Sequence, residues 1–177
     1  SNGILAYIVS NSWMNVKYGY NFQEYICRFS KIKQIYDNIY RSFQKAQVNT
    51  VIAILHKPIE NIDNNNRVKF IKWKISYSEL LHRKNVTNFI KNIFESNNLI
   101  QPETSISDFE IAENEIIREF SCSQKFVYNL KKKDYNDDKI KLNYVGYNWA
   151  NYFFSAPSFY FKLMKKCGKK IVYLRDI

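Results

Sequence analysis

An α/β fold is predicted by three observations: apolar runs of strand length, a stretch between the first two with apolar residues at helical spacing, and polar or Pro-marked turns separating them. Residues 3–10, G-I-L-A-Y-I-V-S, form a continuous apolar run bounded by polar residues, which predicts a strand buried on both faces, as parallel sheets contain. After the S-N-S-W turn, Phe22, Tyr25, Ile26 and Phe29 recur at helical spacing, with Asn21 as a candidate cap and Cys27 off the stripe. Residues 32–36 and 48–55 are two further strands, separated by the polar stretch 37–47; the second is rich in β-branched residues, and Pro58 closes the unit.

The Asn-rich stretch 60–66 reads as a loop. Residues 68–75 read as a strand and 78–96 as helical. Another strand is expected over 115–121, then a short helix from Ser123 and a charged loop at 131–139. Pro157 is placed to open the last helix, Phe161 and Met164 supply its apolar positions, and Gly168 stops it. Residues 171–174 begin one more strand. There is no internal repeat and no heptad pattern.

With 177 residues, a hydrophobic share of 46% and an aromatic share of 17%, the chain is long and apolar enough for one folded domain rather than a disordered tail. No apolar run approaches the roughly 20 residues that cross a bilayer, so no membrane partner is expected. The formal charge of +11 favours a polyanion, with nucleic acid ahead of an acidic membrane surface. Basic density lies at residues 131–133, at 165–170 and around Lys72, and each run reads equally well as a solvated face. Cys27, Cys122 and Cys167 are odd in number and lack C-x-x-C spacing, which argues against a disulfide framework or a zinc site and fits a reducing cytoplasm. Ser1 and Asn2 precede the first strand without an initiator Met, a basic segment or a cleavage signature, so the natural start is expected upstream.

Searches for self-contained chemistry return little. His56 and His82 have no metal spacing or paired nucleophile, and no G-x-G-x-x-G follows a strand. Glu110, Glu113 and Glu115 read as a solvated acidic surface. The informative stretch is S-F-Q-K-A-Q-V-N-T-V-I-A-I-L, where a loop aromatic and a cation stand just before a buried strand.

Four blocks appear in order: G-I-L-A-Y-I-V-S-N-S-W, R-S-F-Q-K-A-Q-V-N-T-V-I-A-I-L-H-K, W-A-N-Y-F-F-S-A-P-S-F-Y-F-K-L and V-Y-L-R-D-I. Together they resemble the adenine methyltransferase region of type IIG restriction-modification enzymes. The first two are similar to that family's motifs six to eight, and the last two to its approach to the target-recognition domain. The family's N-P-P-Y loop and its S-adenosylmethionine-binding strands precede the matching segment, and neither signature occurs in these 177 residues.

The resemblance implies a partial Rossmann-like methyltransferase sheet with a reversed C-terminal strand, residues 48–55 lying between the other two strands and antiparallel to both, followed by a smaller α+β connecting region. Residues 3–58 would be the C-terminal half of the catalytic domain, 59–170 the connecting region, and 171–177 the start of target recognition. The implied function is methyl transfer from S-adenosylmethionine to the exocyclic amine of adenine in double-stranded DNA, with a fused endonuclease possible in the parent enzyme. This stretch would be inactive alone, holding no catalytic, cofactor-binding or metal-ligating residue.

An enzyme of this type must swing the base out of the duplex and hold it by stacking. The resemblance puts Phe43 at the stacking position, and the bland reading of the same residue is a core Phe. Lys45 would touch a phosphate or the base edge, a plain exposed loop Lys being the equal alternative, and Arg41 would contact DNA beside it. Asn11 and Ser12 follow the first strand, where open α/β sheets form a ligand crevice, and a turn-forming role explains them equally. Trp149, Tyr152, Phe153, Phe159, Tyr160 and Phe161 read as core packing or a docking surface rather than a base-stacking platform. Two other readings remain: a non-catalytic nucleic-acid-binding module, and a structural fragment without affinity.

Overall fold

The computed structural model describes residues 3–41, 48–57, 66–84, 86–95, 100–106, 109–129 and 146–167. The first strand, β1 (Ile4–Ser10), leads through a 3-10 turn (Asn11–Met14) into helix α1 (Tyr20–Phe29). Then come strands β2 (Lys31–Asn38), β3 (Thr50–His56) and β4 (Arg67–Trp73), and helices α2 (Tyr77–His82) and α3 (Val86–Glu95). Strands β5 (Ile100–Ile106), β6 (Phe109–Glu113) and β7 (Ile117–Ser123) follow, with helix α4 (Gln124–Asn129), a π-helical turn (Ala150–Ser155) and helix α5 (Ser158–Cys167).

The strands form one mixed seven-stranded sheet in the order β1-β3-β2-β4-β7-β6-β5, so the fold is α/β as expected. The sheet runs without interruption from residues before position 58 to residues after it. Its first part has the expected arrangement: β3 lies between β1 and β2 and is antiparallel to both. Among the described residues only β2 and β4 pair in parallel.

Several local expectations are corrected. Strand β1 is not buried on both faces; it is the edge of the sheet, with Ile4, Leu5 and Ile8 at 66%, 56% and 57% exposure. A continuous apolar run reports that neither face wants water, but it cannot supply the neighbours that would exclude it. In α1 the buried stripe is Gln23, Ile26 and Cys27, while Tyr25 and Phe29 face solvent. Asn21 does not cap this helix, whose N-cap position is Gly19. Asp37 and Asn38, assigned to the polar stretch, complete β2. The helical stretch 78–96 is two helices: Arg83, extended at ψ 132°, ends α2, which begins at Ser76 with its hydroxyl accepting from the Glu79 amide. Strands β5 and β6 were not anticipated.

Two layers flank the sheet. One face packs against α1, α4, the π-helical turn and α5, and its core is aromatic. Phe70 on β4 stacks on Phe153 at a centroid separation of 3.8 Å, and meets Trp149 and Phe154 edge-on. The aromatic block is thus mainly core, as expected: Trp149, Phe153 and Phe161 are buried, Tyr152 and Tyr160 half-buried, and only Phe159 of the six is exposed. Gly146, at φ +75°, lets the chain into this layer against the Tyr20 ring, where a Cβ would collide. The opposite face carries a smaller core of Ile71, Trp73, Leu80 and Ile117 under α2 and α3.

A buried amide ties these parts together. Gln124 donates from Nε2 to the carbonyls of Cys27 and Ser30, both at 2.8 Å. Its Oε1 accepts from the Ile32 amide at 3.0 Å and from Asn66 Nδ2 at 2.7 Å, while Asn66 also donates to the Ile32 carbonyl. The end of α1 and the starts of β2, β4 and α4 are joined at one point. Gln124→Leu strands several buried polar groups at once, each costing about 1–3 kcal/mol. Urea denaturation should show a loss of roughly 3 kcal/mol or more; a loss under about 1 kcal/mol would mean that water replaces the amide.

Candidate nucleic-acid interface

Strands β1, β2 and β4 run in one direction and β3 in the other, so their ends at Ser10, Asn38 and Trp73 share one edge with the start of β3 at Thr50. Asn11 lies there, its amide donating to the Asn49 carbonyl at 2.9 Å. Ser12 is in the same turn: its amide donates to Ser10 Oγ, and the two hydroxyls are 2.7 Å apart. The turn is anchored by Trp13 and Met14, which are buried. Asn11 and Ser12 are half-buried and serve the turn in these contacts. Arg41, exposed, follows the end of β2 at this edge. Phe43 and Lys45 lie outside the described residues, as do Pro58, Gly168 and the charged stretch 131–139.

On the closed face, the row behind this edge is charged. Asp37, Lys72, Arg118 and Glu113 are successive cross-strand neighbours on β2, β4, β7 and β6. Lys72 donates to the Phe154 carbonyl at 3.4 Å, and Arg118 to the Ala156 carbonyl. The basic density around Lys72 is therefore partly built into the fold, and so is part of the acidic cluster. Glu113 pairs with Lys74 at 2.6 Å and Glu110 with Arg67 at 3.3 Å, both across strands. Among the described residues no three His, Cys, Asp or Glu side chains converge as metal ligands would.

Asp37 is the buried acid of this row. Burial raises its carboxyl above the usual range, offset in part by the Asn38 amide and by Lys72. Burial also raises the Tyr77 phenol, with the Asp37 and Tyr36 charges adding to it, and the Tyr36 phenol, where Glu119 adds. Burial lowers Arg118, against the pull of Glu113.

The other face of the sheet is only partly covered. Alternation places Ile8 of β1, Thr50, Ile52 and Ile54 of β3, and Tyr36 of β2 on that face. With Trp73, Tyr77, Leu80, Leu81 and Ile90 they line an apolar groove of about 510 Å³. At the far end of β3 the same face opens into a second cleft of about 370 Å³, lined by Lys33, Gln34, Ile54, His56, Arg67 and Lys69. These residues were missed in the sequence except for His56, read there as a lone histidine. The available signal was two cations at alternate positions in each of two strands, Lys31 and Lys33 in β2 and Arg67 and Lys69 in β4.

No protein-family model matches this chain, and no curated protein matches it.

The Asp37 environment has a pH signature. Its carboxyl is raised in the folded state, so folding favours the protonated form. That contribution is complete below the unfolded carboxyl pKa and is lost as pH rises through the folded one. Asp37→Asn should therefore stabilise the protein near pH 7 and converge with wild type towards pH 3. Denaturant midpoints across that range test this; a variant less stable than wild type at pH 7 would show that the Lys72 pairing outweighs burial.

Proposed function

We propose that the chain is the later half of the catalytic domain of an adenine-specific DNA methyltransferase of the restriction-modification type, supplying part of the pocket that holds the flipped base. The observation that carries this reading is the reversed strand: β3 runs antiparallel between β1 and β2, the arrangement that the resemblance implies for the end of such a sheet. Two further observations support it. The free edge of β1 exposes apolar side chains on both faces, which suits pairing with a further strand. Asn11 and Asn49 are hydrogen-bonded neighbours, so the loop that carries Phe43 and Lys45 returns to the sheet beside the turn that carries Asn11 and Ser12. Ligands bind at such an edge in open α/β sheets.

In this reading the N-P-P-Y loop and the S-adenosylmethionine site belong to a preceding segment that adds strands to β1. Phe43 stacks on the extruded adenine, Arg41 and Lys45 contact the backbone of double-stranded DNA, and Asn11 and Ser12 hold the rim. The cofactor would supply the methyl group. This stretch binds and orients the base and keeps its face out of water.

The reading is tested on the complete protein with labelled S-adenosylmethionine and adenine-containing duplexes, where methyl incorporation is expected. The 177-residue chain alone should give no saturable S-adenosylmethionine isotherm, and a one-to-one micromolar isotherm in calorimetry would place the cofactor site here instead. In the complete enzyme, Phe43→Ala should slow single-turnover methylation about 5- to 150-fold, the equivalent of the roughly 1–3 kcal/mol of a base–aromatic stack. It should also reduce the 2-aminopurine signal of base extrusion. Unchanged extrusion would remove Phe43 from the pocket.

A further inference from the structure

The geometry points to a second nucleic-acid site, on the open face of the sheet, where a single strand lies along β3 with its phosphates in the basic cleft and its bases in the apolar groove. This goes beyond the methyl-transfer reading and does not depend on it.

The two depressions adjoin along β3. Ile54 lines both, and strand β3 forms the floor from Thr50 at the groove end to His56 at the cleft end. The groove offers the half-buried rings of Tyr36 and Tyr77 among aliphatic side chains, with the nearly buried Trp73 in its wall. The cleft offers Lys33, Arg67, Lys69 and His56, with the amide of Gln34 between them. An aromatic platform beside a cationic track is the combination that binds single strands without reading their sequence.

The cleft has a local cause. The β2–β3 register shifts between Ile32 and Gln34, so Ile32 packs in the closed core while Gln34, two residues on, opposes Ile54 on the open face. The bulge at Lys33 makes that switch and leaves Lys33 lining the cleft. Across from it, Lys69 is Gln34's partner on β4. Lys69 is held by Glu119 at 2.9 Å, and Arg67 by Ser121 Oγ at 3.1 Å and by Glu110 at 3.3 Å. Lys31 pairs with His56 across β2 and β3, on the same open face. Four Lys or Arg residues thus stand around the cleft against the two carboxylates that hold Arg67 and Lys69. That excess is the complement of a phosphodiester chain.

A flat anionic bilayer matches the site less well, because Arg67 and Lys69 are partly covered and line a concavity. A strand can enter such a cleft, whereas a membrane surface meets the rim first.

Fluorescence anisotropy with a labelled 12-nucleotide single strand tests the proposal. Lys33→Ala with Arg67→Gln should weaken binding about tenfold and flatten the salt dependence by about 0.7 per lost phosphate contact. Lys17→Ala with Lys125→Ala removes equal charge from exposed positions on the elements that flank the closed face, and should change affinity less than twofold. Leu81→Ser and Ile8→Ser, both at exposed groove positions, should weaken binding with the salt slope unchanged. Binding should also alter tryptophan fluorescence in wild type but not in Trp73→Phe. Circular dichroism melts confirm that each variant folds. Equal losses from the two charge pairs would reduce the effect to net charge and overturn the proposal. So would groove variants that bind like wild type, or competition by anionic vesicles that depends on Lys33 and Arg67. A strand that binds as proposed while the complete protein fails to methylate would sink the methyl-transfer reading and leave this site standing; the converse would do the opposite.

Discussion

The Gln124 amide is the point on which the rest of the architecture depends. Parallel pairing of β2 with β4 brings together strands about 30 residues apart without a hairpin to set their register. Gln124 and Asn66 set it instead, because one carboxamide oxygen accepts both the Ile32 amide and the Asn66 side chain at the point where the two strands start. With that end pinned, Gln34 falls beside Lys69, Tyr36 beside Ile71 and Asn38 beside Trp73. The β2 and β4 side chains of the groove and the cleft inherit their relative positions from that register. A one-residue slip would send Tyr36 to the opposite face and Ile35 into water.

The two faces then meet different fates. The closed face is sealed by rings: Phe70, Phe120, Phe153 and Trp149 pack edge to face and in stacks, which adds roughly 0.5–1.5 kcal/mol per pair beyond area burial. Even its charged row is closed, with Arg118 and Lys72 donating to carbonyls of the segment that covers them. The open face has cover only over β4 and β7, from two short helices. Strands β1 and β3 carry isoleucines to the groove on that face, where among the described residues Ile8 is exposed and Ile52 and Ile54 are half-buried. Apolar surface left in contact with water in such a groove is costly.

How far the sequence reveals this fold depends on which signals are local. Strands β2, β3, β4 and β7 and helix α1 announce themselves through apolar runs or spacing, and each lies within a few residues of its expected place. The position of β3 between its neighbours followed from the family resemblance, since pairing order has no local signal. Strand β5 hides because I-Q-P-E-T-S-I is polar and holds Pro102, which argues against a strand except at an edge, where β5 lies. Strand β6 alternates as Phe109, Glu110, Ile111 and Ala112, but its carboxylates invite a solvated reading that ignores Arg67 and Lys74 across the ladder. The edge at Asn11 was legible as a strand end. The open-face site was not, because it needs Gln34 beside Lys69, a contact fixed by a glutamine at position 124.

Strand β3 belongs to both candidate surfaces, and its alternation keeps them apart. Val51, Ala53 and Leu55 face the closed core, so their identity is fixed by packing. Thr50, Ile52 and Ile54 face the groove, where packing does not demand isoleucine: a solvated antiparallel face ordinarily takes polar side chains at these positions. The sequence T-V-I-A-I-L-H is thus apolar on a side that the described residues leave uncovered, and turns to histidine only at the cleft. The cations there are held in place at little energetic cost, because half-exposed ion pairs such as Arg67 with Glu110 are worth about 0–1 kcal/mol and can be exchanged for a phosphate. Lys69 differs: its partner Glu119 is nearly buried, so that cation stays on the floor of the cleft whether or not a ligand is present. Two cations on β4, one held by a nearly buried carboxylate and one by an exposed one, beside an apolar stripe on β3 are hard to explain by stability alone, and a ligand with charge at one end and flat apolar surface at the other accounts for all three.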